Sequence, residues 1–399
     1  MPVTPFTTTC GSGVLDKLPS LCAPPTVVVT MEDLWSGLPQ LKQAFDGIRN
    51  GSYSVLFVTS LEERDLEQTF LDIASAAKAS AAGVVRTIVG VGGGQAIDVA
   101  KYLAWRSGAT LFQLPTALTV DAAWGHQAAV RRDGLVTYVG WAVPATIFID
   151  FGLVRNAPKA LNLSGIGDVL CFHTAHADWA LAAKHGKDAP WPYNERMVAE
   201  ARAVMERLKL HIHDIRDLND VGISELVTAL SFGGAAFHAN GWNPRAVEGF
   251  DHIFFYALEH RSGLHFIHGY PVLLGVFLGS WLQDNDAQGA LRETRCCCIA
   301  CARDVVAGIL RIVVEAGMDI RPEAMKVTAQ DVKETVLQLG EWSATNGCAS
   351  LLAAPPALTL LRSYMFTVAN ARVVTEREVE QALNALYAAY GDAAVYQHD

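Results

Sequence analysis

Three polar residues interrupt otherwise apolar stretches of the sequence: Asp168 after two glycines in SGIGDVL, His252 in EGFDHIFFYALE and His268 in HFIHGYPVLLG. They stand 84 and 16 residues apart, a spacing that suits three helices converging on one point. One carboxylate and two imidazoles form the N/O donor set of a catalytic divalent site, with a position left open for water or substrate. Taken singly, each of the twelve histidines reads as a surface or hydrogen-bonded core residue; the reading as ligands rests on the trio. His265, three residues before His268, is the rival for the third ligand.

The second chemical signal is VGVGGGQAIDVAKYLAW, Val89 to Trp105, in which a buried-looking strand runs into Gly92, Gly93 and Gly94 and a helix begins near Gln95. Three glycines remove the Cβ atoms that would hold a diphosphate away from the backbone, and the new helix offers free N–H groups and a positive dipole end. Asp98 is expected in the first helical turn, where its charge suits that dipole, with Lys101 three residues later on the same face. On glycines alone, a tight strand-to-helix connection explains the run equally well.

The elements that must carry these residues divide along the chain. From Pro24 to about Asp150, apolar or β-branched runs (Thr26 to Thr30, Tyr53 to Thr59, Arg86 to Gly92, Thr110 to Thr116, Thr146 to Asp150) alternate with helical segments such as Leu61 to Ala82 and Gln95 to Arg106. Continuous apolar strands separated by helices predict a parallel sheet buried on both faces, a doubly wound α/β domain. Beyond about Asn156 helical patterns dominate, among them Trp191 to Leu208, Ile223 to His238, Arg292 to Glu315 and Thr375 to Tyr390. The expected division is residues 1–158 as a Rossmann-like dinucleotide-binding domain and residues 159–399 as an all-helical catalytic domain.

Composition narrows the class. With 399 residues, 51% hydrophobic and 18% charged, the chain suits two or three packed domains and not a disordered segment. Lys and Arg total 31 against 41 Asp and Glu, a net charge of -10, which argues against a nucleic-acid partner. Eight irregularly spaced cysteines do not form a secreted scaffold's framework, and the N-terminal segment lacks a basic patch followed by an apolar run, so a cytoplasmic location is expected. No stretch predicts a membrane span, and YPVLLGVFLGSWL (Tyr270 to Leu282) reads as a buried helix. CCCIAC, Cys296 to Cys301, holds one CxxC spacing but lacks the second pair of a structural zinc site.

The residues Gly92-Gly93-Gly94, Asp98 and Lys101 resemble the GGGxxxDxxK turn of the iron-containing alcohol dehydrogenase, glycerol dehydrogenase and dehydroquinate synthase superfamily. The resemblance continues through LPTALTVDAAW, Leu114 to Trp124, and through VRNAPKALNLSGIGDVL, Val154 to Leu170, which is similar to the glycerol-1-phosphate dehydrogenase branch. It covers roughly Thr26 to Phe277. It implies a dehydroquinate synthase-like fold, a nucleotide on Gly92, Gly93, Gly94, Asp98, Lys101 and Thr116, and a metal held by Asp168, His252 and His268. Asp121 would orient the substrate hydroxyl, or else cap the next helix.

What the resemblance implies about function is a metal-dependent, NAD(P)-linked dehydrogenase acting on a polyol, a sugar-like alcohol or its phosphate. The ion would be zinc, as on the glycerol dehydrogenase side, with iron the alternative, and self-association into a homo-oligomer would follow. The nucleotide stays open between NAD and NADP, because VVVT is followed by Met31 where a ribose-binding acid is usual, while Glu32 and Asp33 come next. Near the metal the sequence departs from the branch: EGFDH replaces SGSEH, and His268 is followed by Gly269, Tyr270 and Pro271 where Gly-Glu is usual. With Trp124, Trp242 and Phe250, these changes predict either a bulkier, less polar substrate pocket or simple repacking. Arg245 is a candidate for a substrate phosphate. A dehydroquinate synthase-like cyclase and a non-catalytic relative are the competing readings.

Overall fold

The computed structural model describes residues 7–48, 53–79, 83–189, 191–238, 243–284, 302–351 and 366–392. The chain divides into two compact units, Met1–Asn162 and Leu163–Asp399.

Among its described residues the first unit has eight strands: β1 (Thr8–Gly11), β2 (Thr26–Thr30), β3 (Tyr53–Phe57), β4 (Thr87–Gly92), β5 (Thr110–Pro115), β6 (Ala128–Arg132), β7 (Leu135–Val139) and β8 (Thr146–Asp150). Six form a parallel sheet in the order β1-β8-β5-β4-β2-β3. Strand period 2 sends alternate residues to opposite faces, and here both faces are covered. Val27, Val29 and Ile88 pack in one apolar cluster with Val99 and Leu103 of the Gly94–Ser107 helix. Val28, Val89 and Val91 pack in another with Leu41, Phe45 and Phe148. This is why these strands read as unbroken apolar runs.

All five strands expected from sequence are present, each within two residues of its expected ends. Two features were not expected. β1 adds a parallel edge strand beside β8, with Thr8 opposite Ile147. β6 and β7 form a separate antiparallel hairpin, turning at Asp133 and Gly134, both at positive φ.

The second unit is helical over its described residues, including Gly165–Lys184, Glu195–Leu210, Asp220–His238, Phe250–Ser262, Gly269–Asp284, Ala302–Glu315, Ala329–Leu351 and Glu376–Ala389. Gly165–Lys184 and Phe250–Ser262 both pack against Gly269–Asp284, whose interior is apolar and buried almost throughout. Among the described residues no helix is long and apolar enough to cross a membrane. The Cys296 to Cys301 run and the start of the expected Arg292 to Glu315 helix lie outside the described residues.

Candidate metal centre and nucleotide turn

Asp168 and His268 meet because two glycines let their helices touch. A Cβ on Gly167 would fall 2.3 Å from the Gly269 carbonyl oxygen, and one on Gly269 would fall 1.8 Å from that of Ser164. Both obstacles are backbone, so no side chain could yield, and only glycine permits this approach. The contact is fastened by the Gly269 N–H, which donates to Ser164 Oγ at 2.9 Å. Farther along the same helix, Gly275 lies against the backbone of Asp251, where a Cβ would come within 2.7 Å of the Asp251 Cα. This brings in the helix of His252.

The outcome is a cluster of three donor atoms. His268 Nε2 lies 3.1 Å from Asp168 Oδ1 and 3.3 Å from His252 Nε2, and His252 Nε2 lies 3.5 Å from Asp168 Oδ1. A tetrahedral ion with bonds of about 2.0–2.2 Å sets its ligand atoms about 3.3–3.6 Å apart. The cluster thus matches, in donor type and separation, what a divalent ion needs. Asp168 and His252 are buried, whereas the His268 side chain is 26% exposed, so the cluster is reached from the His268 side.

The electrostatics favour a cation at this point. Burial alone would raise the Asp168 carboxyl, but the His268 charge and hydrogen bonds from both imidazoles hold it well below the usual carboxylate range. Burial likewise opposes a charged His252, yet hydrogen bonds to Asp168 and Asp251 and the Glu248 charge push it well above its ordinary value. A bound ion would supply positive charge here in place of a proton.

His265 does not join the trio. Its side chain is 82% exposed and its Nδ1 faces Glu259 Oε1 at 3.3 Å. Asp251, which the sequence reading passed over, lies directly behind the cluster: its Oδ1 accepts from His252 Nδ1 at 2.5 Å and from the His252 backbone N–H at 2.7 Å. The adjacent Asp-His pair was the available signal.

In the first unit, β4 ends at Gly92 with φ +146, a conformation that L side chains rarely adopt, and the helix Gly94–Ser107 follows at once. A Cβ at Gly93 would meet nothing within 4 Å, so the space beside this residue is open, whereas one at Gly92 or Gly94 would meet Ala96 or Val120. The helix start has no side-chain cap, which leaves its first N–H groups to a ligand or water. The Thr116 N–H donates to the Gly92 carbonyl at 3.1 Å and ties the end of β5 to the turn.

Asp98 and Lys101 do something other than expected. Asp98 is in the second helical turn, not the first, and is ion-paired with Lys101 at 2.7 Å. Lys101, 2% exposed, also donates to the carbonyls of Ala122 and Gln127, at 2.9 and 2.5 Å, and Asp98 Oδ1 accepts from the Ala129 N–H. The pair fastens the loop after β5 and the start of β6. It is a buried brace for that loop.

That loop carries Asp121, which opens the one-turn 3-10 helix Asp121–Ala123 and whose carbonyl accepts from the Trp124 N–H at 2.9 Å. Trp124 is fully buried and donates Nε1 to Thr8 Oγ1, and Phe250 is fully buried and stacked on Phe254. Both are core residues, so for them repacking replaces the expected pocket enlargement; Trp242 lies outside the described residues. Arg245 is also buried, donating to the carbonyls of Lys187 and Phe366.

Comparison with known proteins agrees with this architecture. Residues 46–158 match the model of the iron-containing alcohol dehydrogenase family. Over 199 residues the chain is 34% identical to a glycerol-1-phosphate dehydrogenase [NAD(P)+] of Sulfurisphaera tokodaii, an alignment covering 50% of this chain and 55% of that protein. It is 28% identical over 260 residues to the protein of the same name from Thermofilum pendens, covering 64% and 71%. The chain spans about half the length of most curated relatives it matches. Among solved structures, a probable glycerol dehydrogenase from Sinorhizobium meliloti superposes with a TM-score of 0.66 at 18% identity, over 97% of this chain and 98% of the other. A sulfoacetaldehyde reductase from Bifidobacterium kashiwanohense in complex with NAD+ gives 0.62 at 15%, over 96% and 97%. Likeness at such identities speaks to fold alone. The segment 46–158 is thus similar to the iron-containing alcohol dehydrogenase family, about half of the chain is similar to glycerol-1-phosphate dehydrogenases, and the solved structures share its fold.

Proposed function

We propose that this protein is a metal-dependent, NAD(P)-linked dehydrogenase of a small polyol, a sugar-like alcohol or the phosphate of either, moving a hydride between nicotinamide and the carbon bearing the substrate oxygen. The observation that carries the reading is the convergence of Asp168, His252 and His268 with donor separations of 3.1 to 3.5 Å. Such an ion, when bound, polarises a substrate hydroxyl or carbonyl oxygen as a Lewis acid. Zinc is the favoured ion and iron the alternative, since both accept one carboxylate and two imidazoles.

This chain's own residues do the rest. Asp168, His252 and His268 hold the ion and leave room on the more exposed His268 side for the substrate oxygen. Gly93, which borders open space, lets the cofactor diphosphate approach the helix start, whose dipole favours negative charge, while Gly92 and Gly94 shape the turn on either side of it. Thr116 supports that turn, and Asp98 with Lys101 hold its neighbouring loop in place. Asp121 is assigned to orienting the substrate hydroxyl.

The test is a screen of polyols and their phosphates, with NAD and with NADP, followed at the nicotinamide absorbance band. A substrate-dependent change abolished by chelator and by Asp168→Ala supports the reading. Sugar-phosphate consumption with no net cofactor change, or binding of neither metal nor nucleotide, overturns it.

A further inference from the structure

The buried carboxylate behind the cluster has a task of its own. Asp251 is fully buried, and its two oxygens are divided between two jobs. Oδ1 faces His252 Nδ1 at 2.5 Å and accepts from the His252 N–H at 2.7 Å; Oδ2 accepts the Thr174 hydroxyl proton across 77 residues of sequence. Thr174 lies on the helix of Asp168, so the carboxylate is pinned by the same helix that supplies the first metal ligand.

Cys171, Asp251 and His252 also lie close enough together to suggest a second cation site. The 2.5 Å separation of Asp251 Oδ1 from His252 Nδ1 decides against it. Two ligands of one ion with bonds of about 2 Å would stand about 3 Å apart or more, whereas 2.5 Å is a direct, charge-assisted hydrogen bond. Cys171 Sγ is occupied as well, lying 2.9 Å from the Val247 carbonyl and 3.1 Å from that of Asp168.

We propose that Asp251, braced by Thr174, is a positioning residue for His252: it keeps the proton on Nδ1, so that the Nε2 lone pair points at Asp168 and His268, and raises the basicity of the imidazole as a ligand. This rests on the metal reading above and deepens it. Partners of this kind, one shell outside the ligands, change metal affinity by about 10–100-fold when removed.

Asp251→Asn tests it. The amide is nearly isosteric; its oxygen still accepts from His252, and its NH2 can donate to Thr174 Oγ1, whose proton then serves the Cys171 carbonyl at 3.2 Å. Zn(II) affinity is measured by competition with a chromophoric chelator, beside the thermal midpoint of the metal-free protein and the Nδ1 proton resonance of His252 in the zinc-loaded protein. The expected result is a metal-free midpoint near that of the parent, Zn(II) affinity lower by about 10–100-fold, and a far-downfield Nδ1 resonance that moves upfield. Should Asp251→Asn fail to fold, Thr174→Val, which removes only the brace, is expected to weaken Zn(II) several-fold and shift the same resonance. A folded Asp251→Asn protein that binds Zn(II) as tightly as the parent, while His268→Ala does not bind it, overturns this role and leaves the metal reading intact. Zn(II) binding unaffected by His268→Ala overturns both.

Discussion

His268 Nε2 lies 3.1 Å from Asp168 Oδ1 although 100 residues separate them, and the approach is made by Gly167 and Gly269, the immediate neighbours of the two ligands. The chemistry and the packing that permits it are therefore encoded side by side. Gly167→Ala puts a methyl group 2.3 Å from a backbone oxygen, so the helices must part. The expected loss is about 3 kcal/mol or more of stability, seen as a lower urea midpoint, together with impaired metal binding. A Gly167→Ala protein as stable as the parent would show that the helices are not closely packed there.

Gly93 is the contrasting position. Its φ of -80 is ordinary for any residue, and a methyl group there would meet nothing within 4 Å. Gly93→Ala is expected to fold with stability within about 0.5 kcal/mol of the parent. Because the open space is assigned to the diphosphate, its affinity for NAD(P)H, followed by nicotinamide fluorescence, should fall about tenfold or more. Unchanged affinity would remove the diphosphate from this turn.

Lys101 is predicted to act through structure. Lys101→Met strands the buried Asp98 carboxylate and frees the carbonyls of Ala122 and Gln127. Breaking a buried pair from one side costs about 3–5 kcal/mol, readable as a fall in the thermal midpoint. A Lys101→Met protein that kept its stability and had lost only nucleotide affinity would instead restore Lys101 to direct cofactor contact.

Acid stability should report on His176, which is buried on Phe172 with its Nε2 3.1 Å from the Ala246 carbonyl. Burial, with repulsion from His173, pushes its imidazole down to about 3, from 6.5. Between those values the unfolded chain binds a proton that the folded chain refuses, so this group makes stability fall as pH drops from about 6.5 to 3. The slope from one such group is at most about 1.4 kcal/mol per pH unit. His176→Gln, which keeps a donor for Ala246, should flatten the pH dependence of the urea midpoint over that window. An unchanged slope would contradict the assignment.

Much of this was legible in the sequence because β2, β4, β5 and β8, the inner strands of the main sheet, are buried almost throughout and appear as largely apolar runs. β1 was not, being a four-residue edge strand, TTCG, with no such run. The β6/β7 hairpin lies on Asp133 and Gly134, a turn signal masked by the arginines around it. At the metal cluster the ligand types could be read from Asp168, His252 and His268 as polar interruptions of apolar helices. Asp251 was marked in the sequence only by its place beside His252; that its carboxylate faces both His252 and Thr174 shows only in the fold. Asp98 and Lys101 show the opposite limit: the motif marks the turn correctly, but only the coordinates reveal that its charges face inward.

Equilibrium Zn(II) binding to the purified, metal-stripped protein measures directly whether one cation is held by Asp168, His252 and His268. The parent should take up one equivalent, and Asp168→Ala and His268→Ala, each checked for folding by circular dichroism, should lose it. No uptake by the parent, or equal uptake by both folded variants, would contradict the central claim.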